Sequence, residues 1–139
     1  MTSTDKGSTG EEFIFELTKR LVDKNAKYVG NIRESYDIVI FNKKIEIKTS
    51  TEDTSEHFQF NGIRFYRKYD YLLVLGISPN DIFFNIYNAS DIKAQKIGVL
   101  VPMEKGAGKD SSHKLTRTKQ QLYNISRFKE ILEKVLKSN

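Results

Sequence analysis

The feature that most constrains the fold is a pair of short apolar runs joined at Asn42 and Lys43, in the stretch YDIVIFNKKIEIK at positions 36–48. Beta-branched residues at alternate positions favour extended strands, and the central Asn with its polar neighbours favours a turn. Residues 36–41 and 44–49 are therefore predicted to form a β-hairpin. A two-residue loop at Asn42 and Lys43 would place opposite each other residues whose numbers sum to 85.

The two faces of this predicted hairpin differ in chemistry, because side chains alternate between faces along a strand. The charged face carries Asp37, Val39, Glu46 and Lys48. In the predicted register Asp37 lies opposite Lys48 and diagonally from Glu46, at a backbone separation of roughly 7–8 Å. The other face is predicted to join the core, and it carries Ile38, Ile40, Ile45 and Ile47.

The charged face has two interpretations. Asp37 and Glu46 together offer the carboxylate oxygens that Mg²⁺ takes as ligands, and Lys48 would lie beside a bound water and offset charge on a phosphorane-like transition state. Alternatively, Asp37 and Lys48 form a cross-strand salt bridge on a solvated face, worth roughly 0–1 kcal/mol.

Length and composition exclude several classes of protein. A chain of 139 residues fits one domain, 1–139. Its polar N-terminus and the lack of an apolar run near ~20 residues predict no membrane span, no secretory signal and a cytoplasmic location. The chain has no cysteine for thiol chemistry, and its two histidines are too few for a zinc site without carboxylates. No serine stands in a nucleophile-elbow context, and no small-molecule cofactor is expected.

Positive charge is concentrated in the C-terminal quarter. From Lys105 to Asn139 there are nine Lys or Arg and three Asp or Glu, a net +6, so the preceding residues carry −1 of the overall +5. Concentrated positive charge favours polyphosphate binding through counterion release, although lysine-rich surfaces are also common on proteins that bind no nucleic acid.

Periodicity predicts further elements around the hairpin. An amphipathic helix is expected from Gly10 to about Lys24, a central strand at 69–77, a returning strand at 81–88, and a C-terminal helix at 119–137. The smaller features are an irregular strand near Tyr28, a polar loop at 49–58, a short helix capped by Ser90, a last strand or extended segment at 97–103, and a glycine- and lysine-rich loop at 104–119. This succession predicts an α/β fold with a mixed central sheet of four to five strands flanked by helices.

An Asp on one strand followed by Glu-x-Lys on its partner resembles the PD-(D/E)XK nuclease superfamily, which includes type II restriction endonucleases and archaeal Holliday junction resolvases. The matching residues are YD at 36–37 and EIK at 46–48. Upstream, KGSTGEEF at 6–13 resembles the glycine-led helix start that places a Glu toward the metal, and Gln59 resembles a polar residue that often follows Glu-x-Lys. The sequence departs from the pattern in having Tyr36 where many members have Pro. The resemblance implies a restriction endonuclease-like fold.

The resemblance also implies roles for particular residues. Asp37 and Glu46 would bind Mg²⁺, with Mn²⁺ as a possible substitute, and Lys48 would orient or activate water. Glu11 would hold a metal-bound water or a second ion. Glu12 is the rival to Glu11, since adjacent helical positions differ by about 100°. For both, a simpler cause is the helix dipole, which favours acids near a helix N-terminus.

Two stretches are predicted to contact DNA on either side of the acidic cluster. In FNGIRFYRK, at 60–68, cations would meet phosphates or base edges, and Phe60 and Tyr66 would offer stacking faces. The alternative is a helix with its aromatics in the core. The second stretch is the glycine- and lysine-rich loop at 104–119, whose Lys, His and Arg side chains would read a major groove. The full predicted set is Gln59, Asn61, Arg64, Arg67, Lys68, Lys105, Lys109, His113, Lys114 and Arg117.

The leading functional hypothesis is a Mg²⁺-dependent, restriction-type endonuclease that hydrolyses double-stranded DNA by direct attack of water. The alternatives are a structure-selective Holliday junction resolvase or repair nuclease of the same fold, and a non-catalytic nucleic-acid-binding module. A nuclease that cuts both strands of a palindromic site is expected to be a homodimer.

Overall fold

The computed structural model describes residues 3–30, 35–65, 67–103 and 112–137, with side chains from Thr9 onward. The strands, in chain order, are β1 Lys27–Tyr28, β2 Ile38–Ile40, β3 Lys43–Thr51, β4 His57–Arg64, β5 Tyr71–Ile77, β6 Ile82–Asn88, β7 Val101–Pro102, β8 Ser112–Thr118 and β9 Tyr123–Asn124. The helices are α1 Ser3–Leu21, α2 Ala89–Lys93 and α3 Phe128–Lys137. None of these helices is long and apolar enough to cross a membrane.

The fold is mixed α/β, as predicted, but it has more strands than the expected four to five. One sheet has six strands in the order β1-β2-β3-β5-β6-β9, and a second has three in the order β4-β8-β7. Strands β3 and β5 are parallel neighbours, whereas the other pairs are antiparallel. The connection between parallel strands is usually a helix. Here it runs through β4, so a strand crosses over the face of the large sheet.

Strand β5 is buried along almost its whole length, which confirms the predicted central strand. Alternate residues contribute to two cores. Leu73 and Leu75 pack with α1 and α3 on one side of the large sheet, and Leu72 and Val74 pack with the three-stranded sheet on the other. Gly76 allows the close approach of β4, because a Cβ there would lie 2.8 Å from the Phe58 ring.

The hairpin forms, with its isoleucines buried as predicted, but its register differs from the prediction. Ile38 pairs with Ile45 and Ile40 with Lys43, so opposite numbers sum to 83 rather than 85. The turn residues are Phe41 and Asn42, at φ 49° and 65°, which suits a hairpin turn with two positive φ values. A shift of two residues preserves which face each side chain occupies.

Three other predicted elements need correction. The expected loop at 104–119 contains a strand, β8, at Ser112–Thr118, while residues 104–111 lie outside the described part. The expected single helix at 119–137 is two 3-10 turns, the short strand β9 and the helix Phe128–Lys137. The cap of α2 is Asn88, whose side chain accepts from the Ser90 amide, rather than Ser90 itself.

Candidate active site

The candidate site is built around a carboxylate in the middle of the large sheet. Glu46 is the only acidic residue within the nine strands that the structure describes. It lies on β3 opposite Leu72 of the parallel strand β5, on the side that the three-stranded sheet covers. Acidic residues are rare in strands, and burying a carboxylate costs desolvation free energy. A partly buried Glu on a central strand therefore indicates a functional role rather than a contribution to stability.

Asp37 lies immediately before β2 and contacts Glu46. The Asp37 amide donates to the Ile45 carbonyl at 2.9 Å, and the Asp37 carboxylate accepts from the Ile47 amide at 2.7 Å. The Asp37 side chain is hydrogen-bonded to Glu46, so the two carboxyl groups are in contact. Burial and the hydrogen bond and charge of Asp37 raise the pKa of Glu46 to about 9. Glu46 therefore keeps a proton at neutral pH when no cation is bound.

A third carboxyl group comes from α1. Gly10 packs against β3 so closely that a Cβ there would lie 2.2 Å from Thr49 Oγ1, and the next residue, Glu11, reaches Asp37. Burial and the Asp37 charge raise the pKa of Glu11 to about 7, while a hydrogen bond from the Tyr28 hydroxyl, at 3.2 Å, opposes the rise. Glu12 is exposed. Of the two rivals, Glu11 is the one beside the hairpin.

Two cations complete the cluster. Lys48 and Arg67 both oppose the rise in the pKa of Glu46, and Lys48 also acts on Glu11. The Lys48 ammonium is directed toward the bulge of β4, where a Cβ on Gly62 would lie 3.3 Å from Nζ. In the described chain no ion pair within 4.0 Å joins Asp37 to Lys48. The simple cross-strand salt bridge is therefore not formed.

The donor set fits Mg²⁺. Asp37 and Glu46 are in contact and both are oxygen donors, and the mutual repulsion that raises the pKa of Glu46 is what a divalent cation would relieve. Among the residues that the structure describes, no three or more Asp, Glu or His side chains are arranged around one point. Two carboxylates with water completing the shell are the usual arrangement for this ion.

The residues predicted to contact DNA divide into two groups by exposure. Asn61 and Lys68 are exposed, and Arg64, Arg67 and Lys114 are partly buried at the surface. Gln59 is also exposed, but its side-chain amide donates to Asp53 at 2.9 Å. None of these contacts with DNA is tested by the structure, and they stay predictions.

Other predicted contacts lie in the interior. His113 is 8% exposed and stacks on Phe65 at 4.1 Å between ring centroids, and Arg117 is 7% exposed, donates to the Ile97 carbonyl and lies over the Tyr87 ring. Phe60 is fully buried and so offers no stacking face to a base. It lies in the core, as the alternative interpretation had it, but in strand β4 rather than in a helix. Lys105, Lys109 and Tyr66 lie outside the described residues.

Two tyrosines of the site were not predicted from the sequence. Tyr28, on β1, donates to Glu11. Tyr69 is 6% exposed, and burial together with the Glu46 charge raises its pKa to about 12. Its hydroxyl has no hydrogen-bond partner among the described residues. Neither position belongs to a local motif, and their proximity arises from strand pairing distant in sequence.

Comparison with known protein families and with curated proteins finds no match for this chain. Among solved structures, the chain is similar to a bacterial homing endonuclease, I-Ssp6803I. The TM-score is 0.54 at 14% sequence identity, and the similarity covers 100% of this chain and 99% of the other. This chain therefore shares its overall fold with a protein of nearly the same extent.

Proposed function

We propose that the protein is a Mg²⁺-dependent DNA endonuclease with a PD-(D/E)XK active site, which hydrolyses phosphodiester bonds of double-stranded DNA by direct attack of water. The observation that carries the proposal is the contact between Asp37 and Glu46, with Glu11 and Lys48 beside them. The similarity in fold to a protein described as a homing endonuclease supports it.

Each residue has a role in the proposed reaction. Asp37 and Glu46 would hold Mg²⁺, or Mn²⁺ in its place, and Glu11 would hold a water from the helix side. The bound ion would lower the pKa of a coordinated water and offset charge on the phosphate. Lys48 orients the attacking water and stabilises negative charge that develops on the phosphoryl oxygens. Arg67, near Glu46, supplies a second positive charge for the DNA backbone.

The proposal is tested by incubating plasmid DNA with the protein, with and without Mg²⁺. Discrete fragments are expected for a restriction-type enzyme, and a smear would indicate unspecific cleavage. Lys48→Ala and Glu46→Ala should abolish cleavage while duplex binding persists. Lys44→Ala is the matched control, because Lys44 lies on the same strand and face but is exposed, with its ammonium over the Tyr36 ring at 5.4 Å.

Two alternatives have distinct outcomes in this assay. A structure-selective resolvase or repair nuclease would cut synthetic four-way junctions in preference to linear duplexes, with the same dependence on Lys48. A non-catalytic binding module would retain DNA with no Mg²⁺-dependent cleavage at all, which would contradict the proposal. The proposed homodimer is checked by measuring the mass in solution with and without duplex DNA.

A further inference from the structure

The outer face of the three-stranded sheet combines amide, hydroxyl and cationic side chains. Phe58, Phe60, Ile63 and Leu115 form its inner face and pack on the large sheet. Because side chains alternate, the intervening residues of β4 and β8 face away from the core. The outward residues are Gln59, Asn61, Arg64, Ser112, Lys114 and Thr116.

The strands that form this outer face carry amide, hydroxyl and cationic side chains, the exposed Val101 lies at the β7 edge, and the nearby Asp53 carboxylate binds Gln59. Strands β4, β7 and β8 contain no Asp or Glu along their lengths. Arg64 pairs with Ser112 at one end of the ribbon, and Lys114 pairs with Val101 of β7. Amide, hydroxyl and cationic groups are the side chains that read base edges, and the missing acids remove repulsion from phosphates.

The same ribbon adjoins the candidate active site. The register of β4 and β8 shifts between Phe60 and Ile63, and Gly62, at φ +77°, forms the bulge. A Cβ on Gly62 would lie 3.3 Å from Lys48 Nζ. Asn61 is exposed and immediately precedes Gly62. Its side-chain amide therefore lies one residue away from the closest approach of β4 to the Lys48 ammonium.

We propose that the outer face of β4 and β8 enters the major groove of duplex DNA and reads base edges beside the cleaved phosphate. The inference rests on the proposed function, since it assumes that the phosphate occupies the Asp37–Glu46 site. A major groove about 12 Å wide admits a two-stranded ribbon whose strands are about 4.8 Å apart. Asn61 pairs with adenine through its amide, and Lys114 pairs with guanine.

Gln59 differs from Asn61 in this arrangement. Its amide nitrogen is held by Asp53 at 2.9 Å, so Asn61 is the ribbon amide that reads a base. Thr116, paired with Gln59 on β8, presents a methyl group to thymine or a hydroxyl to either base. The surface therefore distinguishes sequences over a few base pairs rather than binding every duplex equally.

The test is a selection of bound sequences from a randomised duplex pool by the full chain without divalent cation, so that binding is measured apart from cleavage. The intact protein should enrich a defined sequence. Asn61→Ala and Lys114→Ala should each lose about tenfold to a hundredfold discrimination at one or two adjacent base pairs. Thermal unfolding of each variant confirms that it is folded.

Matched controls lie elsewhere on the protein. Asn80 is exposed in the turn between β5 and β6, and Lys129 is exposed on α3, on the opposite side of the large sheet. Asn80→Ala and Lys129→Ala should leave the selected sequence unchanged. Variants of Asn61 and Lys114 that keep the preference, or that weaken all sequences equally, overturn the inference, as does a lack of any enriched sequence.

The two proposals fail in different ways. If cleavage requires Lys48 but Asn61→Ala and Lys114→Ala keep the selected sequence, the reading surface is wrong and the endonuclease stands. If the protein selects a sequence through Asn61 but cuts no DNA with Mg²⁺, the endonuclease is wrong.

Discussion

The strands of the two sheets in this protein differ in the charged residues that they carry. The large sheet supplies Glu46, with Asp37 at the end of β2, while the small sheet has no acidic residue in its strands. Beside the site, Lys48 of the large sheet lies close to Gly62 of the small sheet. Under the proposed function, the large sheet would hold the reacting phosphate and the small sheet would contact the rest of the DNA.

The largest expected effect comes from Asp37→Asn. This substitution removes the negative charge of Asp37 and keeps the shape of the side chain. Asparagine retains an oxygen to accept from the Ile47 amide, so the fold should persist. Loss of a ligand charge should lower the plasmid cleavage rate by at least about a thousandfold, the equivalent of several kcal/mol of transition-state stabilisation. Duplex affinity should change little. Asp91→Asn on α2 is the control, and a cleaving Asp37→Asn variant would contradict the assigned role.

The next largest effect is on the packing between the sheets. Phe60→Ala removes a fully buried ring from the core that joins the small sheet to the large one, and should cost about 3–5 kcal/mol of unfolding free energy. Urea denaturation measures this loss. Thr116→Ala, on the outer face of the same sheet, should change stability by less than about 0.5 kcal/mol. If Phe60→Ala and Thr116→Ala cost the same unfolding free energy, the stability of the protein does not depend on packing between the two sheets.

The raised pKa values in the acidic cluster predict that the stability of the protein depends on pH. The strands of the small sheet contain no carboxyl group that could contribute to this dependence. Burial and the neighbouring Asp37 raise the folded-state pKa of Glu46 from 4.5 to about 9. Between these values the folded protein holds a proton that the unfolded chain has released, so stability should fall as pH rises. The slope is at most about 1.4 kcal/mol per pH unit for one proton.

This pH dependence is measured as the thermal midpoint of the metal-free protein between pH 5 and pH 9. Glu46→Gln should flatten the decline above pH 7, since glutamine stays neutral, while below pH 7 the raised pKa of Glu11 still contributes. Saturating Mg²⁺ should also flatten the decline by replacing the proton. Glu12→Gln, at an exposed position on α1, is the control and should leave the slope unchanged. A midpoint that rises with pH would contradict the shared proton.

The sequence pattern predicted the hairpin and its two faces but not its register. Turn chemistry favours Asn42 as the first loop residue, and an aromatic residue at positive φ is uncommon. Phe41 nevertheless adopts φ 49°. Its ring packs against the core between the large sheet and helices α1 and α3, and its amide donates to Asp23 at 2.9 Å. Contacts distant in sequence decided the turn, and they shifted the pairing of β2 with β3 by two residues.

Strand β8 was missed for a different reason. Its inward positions include His113 and Arg117, two polar residues that hide the usual alternation. The Phe65 ring stacks on His113 and the Ile97 carbonyl accepts from Arg117, although His113 Nδ1 and Arg117 Nε have no hydrogen-bond partner among the described residues. Both contacts come from other parts of the chain. The approach of Gly62 to Lys48 also depends on β4 crossing the large sheet, which no local pattern encodes.

The smallest expected effect comes from Gly62→Ala, at the point where the sheets meet. Alanine at φ +77° is strained by about 1 kcal/mol, and its Cβ would lie 3.3 Å from Lys48 Nζ, so the lysine must shift. Cleavage should fall about tenfold while the unfolding free energy changes by only about 1 kcal/mol. Gly98→Ala, at φ +138° but beside Arg117, controls for backbone strain and should cost stability with little effect on cleavage by the folded fraction. If the two variants lose activity only in proportion to stability, Gly62 does not position the catalytic lysine, and the sheets act independently.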